Sequence, residues 1–491
     1  MNANVLLVNP CKGDSPPFGL LYIAAVLLKH EYRVHIAELD TYGKEDFSDV
    51  YISLIKNKIK ENDYKIIGIT FLTAYYMVVD YLVKQIKRDF PEIVLVVGGP
   101  HVTALPEESV NIGPDVAVIG EGESVFLQIV ESISKKLALD TIPSIVINKE
   151  YANSSEHIKT PGRLGYEDIN ALPLPAFHLI NLEHYMSRNY AIRSYWLRCG
   201  WVITSRGCPA ACTFCAKSST HGRGVRERDI GSIIEELKML KEKFNIKAFR
   251  ILDDTFVIKE RRVLAFCDEL MKHDLGFIWA CQARVSYFTD NIAKALRNSG
   301  CVQVDFGVES GSQKVLDALK KGTSIEQTKR SFEIAHKNNL RALATIMIGN
   351  PEETWDDIIA TKNLLKEIKP DYTGVFFTTP YPGTKLYEQA LANNWLVSGK
   401  NNWTTKGHNE RSNMFINFNQ NELDKIYNML LSESFIKTLL NYLSQKRLLI
   451  DLLKVSIQQP IDMVKLSFLL VTGRKKDFIN MVRAMRIKGA L

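Results

Sequence analysis

Two separate runs of alternating strand and helix patterns constrain this 491-residue chain more than any other feature. In the first run, residues 1–137, Val5–Val8, Arg33–Leu39, Lys65–Thr70, Ile93–Val97 and Val116–Ile119 read as strands. Helical spacing intervenes at Phe18–Leu28 and at roughly 46–61, 75–88 and 122–137. Strands joined by helices need crossover connections, and so imply a parallel sheet covered on both faces. That predicts an α/β, doubly wound, Rossmann-like domain whose ligands bind beyond the carboxyl ends of the strands.

The second run begins at about Trp201. Strand candidates are 201–206, 247–253, 277–283, 302–308, 342–348 and 373–379, with helical patterns such as Ile230–Phe244, Arg261–His273 and Thr354–Glu367 between them. Six βα units are too few to close an eight-stranded barrel and suit a partial (βα)6 barrel, with functional residues on the loops after the strands. Between the runs, Pro143, Pro161, Pro173 and Pro175 break periodicity, which predicts a small hairpin and linker. After about residue 400 the pattern is helical and polar, with a break at Gln458-Gln459-Pro460. The expected organisation is therefore 1–137, linker 138–195, barrel 196–400 and a small helical region 401–491.

Eight cysteines, at 11, 199, 208, 212, 215, 267, 281 and 301, form no disulfide framework and fit a reduced, cytoplasmic setting. The N-terminus lacks the basic and long apolar regions of an export signal, and no apolar run reaches the ~18 residues of a spanning helix. The net charge of +7 is concentrated. From Ser444 onward ten Lys and Arg face three acids, an excess equal to that of the whole chain. The body of the protein thus has no electrostatic support for nucleic-acid binding. The basic tail reads as a solvated helical face. Its alternative is an interfacial segment, Met463–Val471 followed by Arg474-Lys475-Lys476, that meets anionic lipid peripherally at the inner membrane.

Three of the cysteines sit close together, in Arg206-Gly207-Cys208-Pro209-Ala210-Ala211-Cys212-Thr213-Phe214-Cys215. A C-x3-C-x2-C spacing lets three thiolates fold around one iron–sulfur cube and leaves the fourth iron open to a substrate, whereas four-cysteine clusters shuttle electrons. Structural zinc is the alternative, with His221 as a fourth ligand, but such sites more often pair C-x2-C units. Cys199, Cys267, Cys281 and Cys301 lie in or beside apolar segments and read as core. Cys11 falls on a predicted loop and is expected to be exposed.

The cysteine loop and its flanks resemble the radical S-adenosylmethionine (SAM) superfamily, with Phe214 at that family's usual aromatic position. The resemblance implies a [4Fe-4S] cluster on Cys208, Cys212 and Cys215 whose open iron chelates SAM. It also implies reductive cleavage of SAM to a 5′-deoxyadenosyl radical. Segments at successive strand ends agree in order. Asp253 and Asp254 stand where the family meets the amino end of SAM, and Gln282 and Arg284 follow, the arginine suited to a carboxylate. Glu309 and Ser310 lie in Phe306-Gly307-Val308-Glu309-Ser310-Gly311, which looks like the ribose and methionine segment. Gly349 lies beside the usual adenine site.

Residues 1–137 resemble the cobalamin-binding domain that precedes the barrel in one large radical SAM subclass. The matching residues include Asn9, Pro17, Gly98, Gly99, Gly120, Glu121 and Gly122, while Thr70 and Thr73 follow the third strand. Many cobalamin proteins ligate cobalt through a histidine in the loop after the first strand. Here that loop reads Asn9-Pro10-Cys11-Lys12-Gly13-Asp14, without one. His101 reads as a polar loop residue, with ligation of cobalt as the alternative. The resemblance implies methylation of an unactivated carbon through methylcobalamin. Oxidative cyclisation or rearrangement, and a non-catalytic cluster-bearing sensor, are its rivals. It further implies a low-potential reductant such as flavodoxin or ferredoxin, and leaves the substrate open among small molecules, peptides and lipids.

Overall fold

The computed structural model describes residues 4–11, 13, 15–39, 49–162, 165–187, 192, 197–396, 414 and 416–432. The basic tail therefore lies outside the described residues, as does most of 401–491. The chain divides into two compact units, each made of several segments. One comprises Met1–Tyr185, Ser205–Asp229 and Pro380–Gly407; the other comprises Met186–Thr204, Ile230–Thr379 and His408–Leu491.

The first unit is built on strands β1 (Asn4–Asn9), β2 (Arg33–Glu38), β3 (Tyr64–Thr70), β4 (Val94–Gly98), β5 (Val116–Val118), β6 (Ile145–Ile147) and β7 (Ile158–Lys159). They pair in the order β2-β1-β3-β4-β5-β6-β7. The first five are parallel, and the β6–β7 hairpin adds two antiparallel strands at one edge. The order reverses between β1 and β3, so the ligand crevice of such a sheet opens at their carboxyl ends. Helices cover the sheet because their apolar residues recur at helical spacing. Tyr76–Asp89 buries Val78, Val79, Leu82, Val83 and Ile86, each worth about 1.5–3 kcal/mol when fully withdrawn from water.

The second unit holds six parallel strands, β8 (Cys199–Val202), β11 (Ala248–Ile251), β12 (Ile278–Ala283), β13 (Cys301–Glu309), β14 (Arg341–Ile348) and β15 (Tyr372–Phe377), in that spatial order. The missing numbers belong to a two-stranded hairpin in the first unit, β9 (Ser205–Arg206) and β10 (Arg226–Glu227). The sheet runs from β8 to β15 without closing, as a partial barrel does. Phe249 stacks on Trp279 at 5.5 Å, with Phe256 and Phe266 edge-on to the indole. The Gln420–Ser432 helix buries Leu423, Ile426, Leu430 and Leu431, and its Tyr427 stacks on Phe377 of β15. Cys199, Cys267, Cys281 and Cys301 are wholly buried. Among the described residues no helix is long and apolar enough to cross a membrane.

Candidate active site

The cysteine loop is the mouth of the β9–β10 hairpin. A single strand over 201–206 is expected from the apolar run; the backbone instead breaks at Ile203-Thr204, and Ser205–Arg206 pairs antiparallel with Arg226–Glu227. Cys208, Cys212 and Cys215 all fall between those two strands. Gly207 adopts φ +95°, and a side chain there would put its first carbon 2.2 Å from the Gly224 carbonyl oxygen. Only glycine tolerates that approach. The loop is held by Cys208 N–H donating to Gly222 O and Cys215 N–H donating to Cys212 O, each at 3.3 Å. The three thiols are half-buried, as is Phe214. Burial raises the Cys215 thiol; the Lys217 backbone N–H opposes this, and Cys212 and Cys208 are near enough to act on it electrostatically. Among the described residues no three potential ligands close on a single metal ion. The C-x3-C-x2-C spacing of the loop suits a cube, which takes each thiolate on a different iron.

Buried charge fixes this hairpin to the loop after β5. Arg206, 7% exposed, donates through one Nη to Glu123 Oε1 at 2.6 Å and lies 3.4 Å from Glu121. Its guanidinium also sits 5.0 Å from the Tyr22 ring centre. Arg226, opposite Arg206 in the hairpin, grips both Glu121 oxygens at 2.6 and 2.8 Å and lies over Tyr166 at 4.8 Å. The Glu167 N–H completes the shell of Glu121 at 2.8 Å, and Glu167 itself accepts from Ser124. Burial opposes the Arg206 charge, yet Glu123 and Glu121 more than offset it and push its pKa up. Burial would likewise raise Glu121, but Arg226, Arg206 and the Glu167 N–H hold it below the ordinary value. Glu121, expected from its motif to meet cobalamin, thus has its carboxylate engaged by protein. The pairing of Arg206 and Arg226 with Glu121 and Glu123 escapes a sequence reading because the partners lie about a hundred residues apart.

At the carboxyl edge of the first sheet stand Asn9, Thr70, Thr73, Gly98, Gly99, Gly120 and Gly122, with Pro17 at the N-cap of the Phe18–Lys29 helix. Asn9 is buried and accepts from the Cys11 N–H at 3.2 Å. Cys11 is itself buried, contrary to the exposure expected of its loop, and burial pushes its thiol up to about 12. Leu72 and Met77, 37% and 52% exposed, leave apolar surface just after β3. Such a face suits a corrin ring. His101 is not a polar loop residue. It is wholly buried in the short helix Pro100–Ala104, stacked on Phe71 at 4.3 Å, with Nδ1 3.0 Å from Thr73 Oγ1.

That burial lowers the His101 pKa from 6.5 to about 4. Between those values the unfolded chain binds a proton that the folded protein does not. Stability is therefore complete above pH 6.5 and falls as pH drops towards 4, by about 3 kcal/mol in total. His101→Phe is expected to flatten the loss between pH 7 and pH 5 in denaturant melts. An unchanged pH dependence in the variant would refute the assignment.

The second unit presents the other residues at the ends of its strands. Asp253 is buried, and its carboxylate accepts from Thr204 N–H at 2.6 Å and Thr204 Oγ1 at 2.5 Å. These bonds tie Asp253 to the segment after β8, and the half-buried Asp254 stands beside it. Gln282 and Arg284, both half-buried, follow at the end of β12, with Arg284 Nε donating to Ser286 Oγ at 3.2 Å. Glu309 takes φ +66° and pairs with Lys321 at 2.6 Å, both side chains 9% exposed. Lys321 lies in a turn with no periodic signal, and nothing in the sequence singles it out. Ser310 is wholly buried, with Oγ 3.3 Å from Thr361 Oγ1 and accepting from Ser312 N–H. The Gly349 N–H donates to Glu353 at 2.7 Å, which leaves its Cα face towards Leu423.

Comparison with known proteins decides between the readings of this geometry. The B12 binding domain model matches residues 4–130, and the Radical SAM superfamily model matches residues 202–365. An uncharacterised methyltransferase of Pyrococcus horikoshii is 34% identical over 386 residues, 78% of this chain and 80% of that protein. The chain belongs to the cobalamin-binding radical SAM family. It is an enzyme of that family, and its cofactors are a [4Fe-4S] cluster, SAM and cobalamin. The anaerobic magnesium-protoporphyrin IX monomethyl ester cyclase of Rubrivivax gelatinosus is a more distant relative, 26% identical over 385 residues, 77% of this chain and 66% of that one. The fold is shared with the radical SAM methyltransferase TsrM of Kitasatospora setae, solved with cobalamin and a [4Fe-4S] cluster bound. The TM-score is 0.68 at 17% identity, over 81% of this chain and 76% of that chain. In this radical SAM enzyme the three loop cysteines are the residues that would hold the cluster.

Proposed function

We propose that this enzyme methylates an unactivated carbon of its substrate. The observation that carries the reading is that the cysteine loop belongs to the same compact unit as the cobalamin-binding sheet and is fixed there by Arg206 and Arg226. A radical source and a methyl carrier held on one body suit transfer to the carbon from which hydrogen has been removed. The name of the Pyrococcus relative supports the same reaction. When bound, the cluster and SAM supply a hydrogen-abstracting radical, and cobalamin carries the methyl group. An unactivated carbon has neither an acidic proton nor a lone pair, so the chain need not supply a general base for that step. Its task is to bind and orient. Arg284 offers a fork of donors matched to a carboxylate, and Phe214, half-buried, lies within the cysteine loop. The electron comes from a low-potential donor of the flavodoxin or ferredoxin class.

A second reading, oxidative cyclisation without methyl transfer, is favoured by the likeness to the Rubrivivax cyclase. Anaerobic reconstitution with methyl-labelled SAM, a reductant and candidate small-molecule, peptide or lipid substrates separates the two by mass spectrometry. The expected result is product carrying one labelled methyl per turnover. Product that has lost hydrogen and gained no label would overturn methylation in favour of cyclisation.

A further inference from the structure

The Gly120–Glu123 loop does two things at once. Its backbone follows β5, at the carboxyl edge where a doubly wound sheet binds its ligand. Its two carboxylates point instead into the β9–β10 hairpin, which carries all three cluster cysteines. Glu123 holds Arg206 at 2.6 Å, and Arg206 is separated from Cys208 only by Gly207, itself locked against the Gly224 carbonyl. Glu121 bridges to Arg226 on the opposite strand of the same hairpin. Side-chain exposures of 4% for Glu123, 5% for Glu121 and 7% for Arg206 leave these charges no water to fall back on. Breaking one such pair exposes an uncompensated buried charge, so the loop and the hairpin move together or not at all.

We propose that Arg206, with Glu121 and Glu123, is a positioning device that couples the cobalamin site to the cluster loop, so that filling either site strengthens binding at the other. A coupling of this kind is reciprocal by linkage. Ordering of the Gly120–Glu123 backbone against the corrin fixes the arginines and with them the cysteine loop. Cluster assembly fixes the same loop from the other side. The inference rests on the cofactor set and not on the reaction, so it stands whether the enzyme methylates or cyclises.

The test uses full-length protein under anaerobic conditions, with hydroxocobalamin as the probe. Cobalamin affinity is measured by equilibrium dialysis for cluster-loaded wild type and for Cys208→Ala, which lacks the cluster. Wild type is expected to bind about fivefold more tightly or better. In Glu123→Gln that advantage is expected to shrink towards onefold, while the variant still takes up iron and still binds cobalamin. Glu123→Asp keeps the charge and draws the carboxylate back by one methylene. It serves as a second variant that retains the fold and is expected to give an intermediate factor. Electron paramagnetic resonance of the reduced cluster, recorded with and without cobalamin, is expected to differ in wild type and to coincide in Glu123→Gln. Equal cobalamin affinity with and without the cluster in wild type would overturn the proposal. So would a coupling factor in Glu123→Gln or Glu123→Asp as large as that of wild type.

Discussion

Replacement of any one of Cys208, Cys212 and Cys215 by alanine is expected to remove the iron–sulfur cluster and abolish SAM cleavage, while alanine at Cys267 or Cys301 leaves both intact. On this assignment the three would be the ligands of a cube with one open iron, and loss of one would leave only two thiolates in the loop. Cys199, Cys267, Cys281 and Cys301 are buried in the second unit, and burial pushes the Cys199 and Cys267 thiols up to about 12. Such thiols stay protonated and cannot ligate iron without repacking a core. Iron and sulfide analysis of anaerobically reconstituted protein should give about four of each per chain for wild type, Cys267→Ala and Cys301→Ala. Methionine release from SAM reads out cleavage in the same samples. Wild-type iron content and cleavage in any of the three loop variants would refute the assignment.

The parts legible in the sequence are those whose signal is local. Helices such as Ile230–Phe244 and Arg261–His273 declare themselves by apolar spacing, and β-branched runs bounded by turn residues mark β3 and β4. The cysteine spacing is equally local. What resists is anything decided by a partner far along the chain. β9 and β10 are two residues each, too short for alternation to register, and one residue in each is an arginine. Glu121 lies in a glycine-rich turn that reads as a ligand loop, yet its carboxylate is claimed by Arg226. Asp253, Glu309 and Ser310 tell the same story. Each sits at a strand end where a ligand is expected, and each has a polar partner, Thr204, Lys321 or Thr361, that no spacing rule connects to it. Buried polar groups are satisfied internally as a rule, so a polar residue at a strand end is as apt to build the site as to touch its ligand. Cys11 and His101 fail for the complementary reason. Loop position suggests exposure, whereas burial against Asn9, Phe71 and Thr73 is tertiary.

Cobalamin should bind at one per chain with no imidazole on cobalt, and Gly99→Val should weaken that binding at least about tenfold while sparing the cluster. The first half follows from the histidines available at the carboxyl edge of the first sheet. The loop after β1 has none, and the His101 ring is turned inward, stacked on Phe71 with Nδ1 at the Thr73 hydroxyl. Reaching cobalt would require breaking that packing. The second half follows from backbone geometry. Gly99 has φ +109° and ψ −173°, a region that residues with a side chain enter only at about 1–3 kcal/mol. A Cβ there would also meet Phe71 N and O at 3.1 Å. Phe71 is tied on both sides, its N–H donating to Gly98 O at 2.7 Å and its carbonyl accepting from His101 N–H at 3.1 Å. Valine must therefore displace the Phe71–Thr73 backbone, and with it the Leu72 surface that would face the corrin; 1.4 kcal/mol of that strain is already tenfold in affinity. The atoms that a Cβ on Gly99 would meet belong to Thr70 and Phe71 and not to the cysteine loop, so the iron content is expected to be kept. Electron paramagnetic resonance of the cobalt(II) form checks the first claim, since a coordinated histidine nitrogen would split the cobalt lines. Nitrogen splitting in wild type, or unchanged cobalamin affinity in Gly99→Val, would show that the corrin is held elsewhere or by other means.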